Sequence, residues 1–270
     1  ESSSCSGASS ALMSQVGKQK GAPRFFLARH LPVAPPSTSK RCAYPYPGSV
    51  KQGAPFLGIS VLNAGGDKVW EQRFAPHELN FLQDHRVGRV PLLPGTCYIE
   101  MARAIVRDVH GSLAFVLAAV TFNTIMFLDD ELDCAPIVRV ALGRSADVTI
   151  TSRSEETTFW DVHSSMGLLL QAEGAQWLDL PATRARCSSE HVTADTFYQM
   201  CGHDYQGEFK AMQDAWAGNG GTEILSRIAY NRTETRDVHL RTCAWLDACL
   251  HAPYWWSDHR SRPFYIASVT

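Results

Sequence analysis

The chain has 270 residues, of which 45% are hydrophobic, enough to bury a core larger than that of one small domain. Twenty-five Lys and Arg against 27 Asp and Glu leave a net charge of -2, and no basic run marks a nucleic-acid footprint. The longest apolar run, Leu113 to Val120, is too short to cross a bilayer, and no basic-then-apolar signal pattern opens the chain. A cytoplasmic protein with neither nucleic-acid nor membrane partners is expected.

Residues 1–54 are rich in Ser, Gly and Pro and are expected to be an interdomain linker, the Ser-rich start without Met suggesting a piece of something longer. Phe56 to Leu62 and Lys68 to Phe74, around Ala64-Gly65-Gly66-Asp67, predict a hairpin. A charged loop carrying His85 follows. After Pro94-Gly95, apolar residues at Tyr98, Met101, Ala102, Ile105 and Val109 predict a helix with one apolar stripe. Its positive N-terminal end would lie close to the imidazole. Ala114 to Leu128, Ile137 to Leu142, Val148 to Arg153 and Phe159 to Gln171 read as an antiparallel sheet, with His163 a core or sheet-face residue.

Residues 172–195 read as an irregular connection. Beyond Phe197-Tyr198 and Tyr205-Gln206-Gly207-Glu208-Phe209, the stretch Trp216 to Gly221 reads as a turn, Glu223 to Tyr230 as a strand and Cys243 to His251 as a second helix. Eight cysteines without a Cys-x-x-Cys pair signal neither zinc nor a disulfide framework, and Cys97 and Cys249 read as small hydrophobes on helices. No dinucleotide or phosphate loop is present, and Gly143-Arg144-Ser145-Ala146-Asp147 fails the nucleophile-elbow pattern.

Asp247 and His251 stand four residues apart, so a helix puts them on one face within hydrogen-bonding reach. A histidine has an ordinary pKa of about 6.5 and can be neutral at cellular pH, as a general base requires. An aspartate amid Trp245, Leu246, Cys249 and Leu250 can be pushed by desolvation towards its protonated form, as a general acid requires.

The stretch from His85 to Pro94, followed by Gly95, Tyr98 and Glu100-Met101, resembles the active-site motif of dehydratase domains in type I polyketide and fatty acid synthases. The family's loop glycine would fall on Arg89, with Gly88 one place earlier. Trp160-Asp161-Val162-His163 resembles the family too, and Tyr205 to Phe209 keeps the Tyr and Phe of its Tyr-Gly-Pro-x-Phe motif with Gln206-Gly207 in place of Gly-Pro. Leu246-Asp247-Ala248-Cys249-Leu250-His251 resembles its acid-bearing helix, an aspartate followed four residues on by Gln or His.

The resemblance implies an α+β double hotdog, two antiparallel sheets each wrapping a central helix. One unit at 55–180 would carry His85, and a second at 190–270 would carry Asp247 and be cut short at the C-terminus. It implies dehydration of a 3-hydroxyacyl thioester, with His85 as base, Asp247 as acid, the Gly95 amide at the thioester carbonyl, and Tyr205 and His251 in support. The substrate would arrive on the phosphopantetheine arm of an acyl carrier protein, with no cofactor bound. Neighbouring synthase domains would be partners, and homodimerisation is left open. Two alternatives stay open: a product-template-like aldol cyclase on the same fold, and a degenerate hotdog module that binds acyl chains or spaces its neighbours.

Overall fold

A computed structural model describes residues 56–61, 65–74, 84–87, 90–111, 115–128, 135–170, 179–201, 204–218, 220, 223–229, 238–256 and 265–269. The expected linker, Gly88 and Arg89 lie outside them.

The first unit begins with strands β1 (Ile59–Val61) and β2 (Lys68–Arg73), the expected hairpin, paired antiparallel with Val61 opposite Val69. Two short strands, β3 (His85–Val87) and β4 (Val90–Pro91), lead into helix α1 (Gly95–His110). Strands β5 (Val116–Phe122), β6 (Ile137–Leu142), β7 (Asp147–Arg153) and β8 (Asp161–Leu169) follow. Alternation decides the pairing: in β6 and β7, Val138, Val140, Leu142, Val148, Ile150 and Ser152 turn inward while their neighbours are more exposed.

These inward side chains close on α1, which buries more than the expected stripe. Residues Thr96 to Ala102 and Ala104 to Val106 are all buried, including Glu100, which pairs with Arg103 on the next turn. The helix is enclosed because the sheet covers one side and a second helix lies against another. Gly111 ends it in the left-handed conformation, its N–H bonded to the Arg107 carbonyl.

The region expected to be irregular folds, in its described part, as helix α2 (Leu180–Arg186), strand β9 (Glu190–Thr193) and the start of helix α3 (Ala194–Met200). The Asp179 and Thr193 side chains cap the two helices by accepting from the backbone N–H three residues on. Strand β10 (Asp204–Tyr205), a 3₁₀ turn over Gly207–Phe209 and strands β11 (Met212–Gly218) and β12 (Glu223–Ile228) come next. The turn expected over Trp216 to Gly221 is therefore too early. Trp216, Ala217 and Gly218 pair with Leu225, Ile224 and Glu223, and Gly220, at φ +63°, belongs to the real turn.

Helix α4 (Val238–Trp256) and strand β13 (Tyr265–Val269) complete the described chain. Three antiparallel sheets result: β1-β2-β6-β7-β8-β5-β13, β12-β11-β9, and the small sheet β10-β3-β4. The large sheet with α1 and the three-stranded sheet with α4 are the two layers expected of a double hotdog. β13 adds to the large sheet beside β5, with Ile266 opposite Val120, so the chain returns to the first unit after α4.

Candidate functional site

Helices α1 and α4 touch, and the small sheet lies where the two units meet. His85 stands in β3 and not in a loop, because a strand from far along the chain pairs with it: Tyr205 of β10 is its backbone partner. The following strand doubles back, so that the His85 carbonyl accepts from Leu92 N–H at 3.2 Å. The residue is 6% exposed, with the Tyr205 and Phe209 rings 5.4 and 5.0 Å from its imidazole. Its Nδ1 lies 3.3 Å from the Leu92 carbonyl oxygen, an acceptor only, so the Nδ1–H donates there. The remaining nitrogen, Nε2, faces Asp247 Oδ2 at 3.5 Å.

Asp247 comes from the buried face of α4, with Cys243, Ala244, Ala248, His251 and Ala252. Small residues let this face approach its neighbours closely. His251 Nε2 lies 3.0 Å from the same Oδ2, as the i, i+4 spacing requires. Burial alone would raise the Asp247 pKa, but the His85 charge and the bonds from His251 and His85 outweigh it and hold the carboxyl well below the usual range. The balance favours the carboxylate, contrary to the expectation that desolvation keeps Asp247 protonated. An imidazole on each side reverses the sign.

Tyr205 lies over His251 at 4.3 Å between ring centroids, so it borders both imidazoles. The altered motif has a structural counterpart. Gly207 takes φ +51°, which proline, locked near -65°, cannot adopt. A Cβ on Gly207 would also fall 2.2 Å from an Asp84 carboxylate oxygen, beside the backbone bond from Gln206 N–H to the Asp84 carbonyl. The Gln206-Gly207 turn is therefore built differently from a Gly-Pro turn, yet it delivers Phe209, fully buried, beside His85.

Gly95 opens α1, and a Cβ there would meet the Phe122 ring at 2.8 Å. Pro94, ahead of it, supplies no side-chain cap, and the Thr96 hydroxyl is buried without a partner among the described residues. The start of this helix thus holds polar capacity unused by the described protein atoms.

His163 is structural, as expected. A register shift in β8 turns it inward, where Nδ1 meets the Thr124 carbonyl at 2.9 Å and Nε2 meets the Ser152 hydroxyl at 2.7 Å. Desolvation lowers its pKa, favouring the neutral ring. Cys97 and Cys243 are fully buried and Cys249 is half-buried. Burial raises all three thiols, Cys249 to about 12. Among the described residues no group of three or more His, Cys, Asp and Glu side chains is arranged to hold a metal ion, and no helix is long and apolar enough to cross a membrane.

Two sheet-covered helices that bring an imidazole and a carboxylate together between them define a double-hotdog protein. Residues 54–154 match the family model described as "Polyketide synthase dehydratase domain". The chain is 30% identical over 208 residues to a mycoketide-CoA synthase of Mycobacterium tuberculosis, covering 73% of this chain and 5% of that protein. It is 22% identical over 181 residues to a highly reducing polyketide synthase of Purpureocillium lilacinum, covering 64% of this chain and 7% of that protein. The chain therefore spans less than a tenth of either relative. Among solved structures, the dehydratase domain of the CurF module of curacin polyketide synthase superposes with a TM-score of 0.68 at 20% identity, over 80% of this chain and 83% of that one. The chain is a relative of polyketide synthase dehydratase domains, as its motifs led us to expect.

The sequence reading missed one member of this site. Tyr198 of α3 places its hydroxyl 3.3 Å from His251 Nδ1. Its neighbour in sequence, Phe197, stacks on the same imidazole at 5.5 Å. The Phe197-Tyr198 pair was visible, but its target lies 53 residues on.

Proposed function

We propose that this domain removes water from a 3-hydroxyacyl thioester, delivered on the phosphopantetheine arm of an acyl carrier protein, to give the 2-enoyl thioester. The observation that carries the reading is the 3.5 Å contact of His85 Nε2 with Asp247 Oδ2 between the two hotdog units. The elimination needs a base for the proton on the carbon next to the carbonyl and an acid for the departing hydroxyl.

His85 and Asp247 hold one proton between them. It is shared along the line from Nε2 to Oδ2, where burial favours the carboxylic acid and the two imidazoles favour the carboxylate. Moving it from Nε2 to Oδ2 as substrate displaces water gives a neutral imidazole and a carboxylic acid. His85 then takes the carbon-bound proton, the C–O bond breaks, and Asp247 protonates the leaving hydroxyl as water. The resulting imidazolium and carboxylate pass that proton from Nε2 to Oδ2 for the next turnover, so the proton count closes. The Gly95 amide at the start of α1 is the proposed donor to the thioester oxygen as negative charge develops there, and the enclosed site strengthens that bond. Tyr205 borders the space above both imidazoles, where it can bond the hydroxyl. The mechanism calls on no bound cofactor, and the neighbouring domains of a synthase are the expected source and destination of the acyl carrier protein.

The test is incubation with a short 3-hydroxyacyl carrier protein, following loss of one water by mass. Wild type should convert it. His85→Ala and Asp247→Asn should each slow conversion by about a hundred- to ten-thousandfold while melting cooperatively. A folded wild type that leaves the short substrate untouched would sink the reading and favour a cyclase or a non-catalytic module.

A further inference from the structure

We propose that Tyr198 is a positioning residue for the acid half of the site, its hydroxyl holding His251 in the form that donates from Nε2 to Asp247. The inference rests on the reading of Asp247 as the proton donor to substrate, and it addresses a problem that a histidine creates at position 251. A glutamine there would always present an N–H to the aspartate. An imidazole has two neutral tautomers, and only one donates from Nε2.

The geometry selects that tautomer. Asp247 as a carboxylate can only accept, so the 3.0 Å contact to Oδ2 places a hydrogen on Nε2. Nδ1 of the neutral ring is then bare and needs a donor. Tyr198 Oη, at 3.3 Å, is in reach of it. The hydroxyl accepts from Met212 N–H at 3.1 Å, which fixes the oxygen and leaves its hydrogen for Nδ1 or for the Phe209 carbonyl at 3.4 Å. Burial raises the Tyr198 phenol well above its usual range, so the oxygen keeps the hydrogen it must donate.

Packing holds the ring where the bond requires it. Tyr198 stands edge-on to His251 at 5.8 Å and 90°, and edge-on to Phe197 and Tyr205 at 5.0 and 6.0 Å. Helix α3, the turn at Phe209 and strand β11 thus converge on one hydroxyl. The line of contacts runs from Met212 N–H through Tyr198, His251 and Asp247 to His85. Its effect is to aim Nε2–H at the carboxylate, so that Asp247 is held in a fixed orientation when it takes and gives its proton.

Tyr198→Phe keeps the ring and removes only the hydroxyl. Two readouts separate positioning from packing. In protein labelled with 15N-histidine, held above pH ~7 where free imidazole is neutral, the His251 signals are identified by their absence from His251→Gln. Tyr198→Phe should move the Nδ1 resonance of His251, and an unmoved resonance overturns the proposal. In turnover, Tyr198→Phe should lower kcat about tenfold with KM unchanged, the scale of one lost hydrogen bond. In the His251→Gln background the same substitution should be nearly silent, because the amide donates without help. An equal loss in both backgrounds would make Tyr198 a packing residue acting through Met212, and would overturn the proposal. Should Tyr198→Phe fold poorly, 3-fluorotyrosine incorporation, which strengthens the phenol as a donor, must move the same resonance, and no movement again overturns the proposal. If wild type shows no dehydration at all, the functional reading fails while the resonance test still decides this one.

Discussion

Helix α1 buries Met101, Ile105 and Val106 against the inward-facing residues of a seven-stranded sheet, whereas α4 buries alanines and cysteines together with an aspartate and a histidine. The first helix is held by apolar volume. The second is held, at its functional turn, by directed bonds between polar groups that would each be costly to leave unpaired. His85 is also tied to the first unit, through the Leu92 carbonyl and the contacts of Pro91 and Leu93 with Leu128 and Met126. One unit works as a rigid wall, and the other as a bonded lever set against it. Substitutions in the two should therefore fail in different ways.

The largest effect on stability is expected in the wall. Ile105→Ala removes a side chain with no exposed surface and should cost about 2–5 kcal/mol in denaturant unfolding. A loss below about 1 kcal/mol would show that α1 is less tightly enclosed than its burial indicates.

A smaller effect belongs to the turn that replaces Gly-Pro. Gly207→Ala forces a side chain to φ +51° and into Asp84, whose carboxylate can swing away, so the cost should be about 1–2 kcal/mol. The same substitution should lower turnover, because Phe209 and Tyr205, on either side of it, border His85. An unchanged melting temperature would mean that the turn can relax to an ordinary conformation.

The smallest effect is a pH dependence. The folded state holds Asp247 below its usual range, while the unfolded chain has an ordinary carboxylate near 3.9. The unfolded state therefore binds the proton more readily. The stability contributed is present above about pH 4 and is lost as pH falls below it towards the folded value. Between about pH 5 and pH 3, wild type should lose more stability than Asp247→Asn, measured by thermal melts. Parallel curves would show that the imidazoles do not hold Asp247 charged.

The difference between the units also explains what could be read from the chain. β6 and β7 were legible because Ile, Val and Thr alternate there with a clean period of two. β11 was not, because Met-Gln-Asp-Ala-Trp-Ala-Gly contains no β-branched residue and ends on a glycine that resembles a turn. His85 and Asp247 were recognisable from the motifs around them and the i, i+4 partner His251. Three things depended on the fold: that His85 sits in a strand, that Asp247 is charged, and that Tyr198 reaches His251. His85 takes its backbone partner, Tyr205, from about 120 residues further along the chain. The sign of a pKa shift depends on which charges arrive beside a buried group, and local composition shows only that it is buried.

The return of β13 to the first sheet gives the molecule an order of assembly. Val269 pairs with Leu117, more than half the chain away, and pairings of such separation are closed late because the loop entropy must be met before the contact repays it. Until then β5 has an open edge on one side, which is the exposed template that chaperones shield and aggregation exploits. α4 lies inside the loop that this pairing closes. During synthesis the unit carrying His85 can be largely formed while the helix carrying Asp247 is still held at one end only, so the two side chains come together near the end of folding.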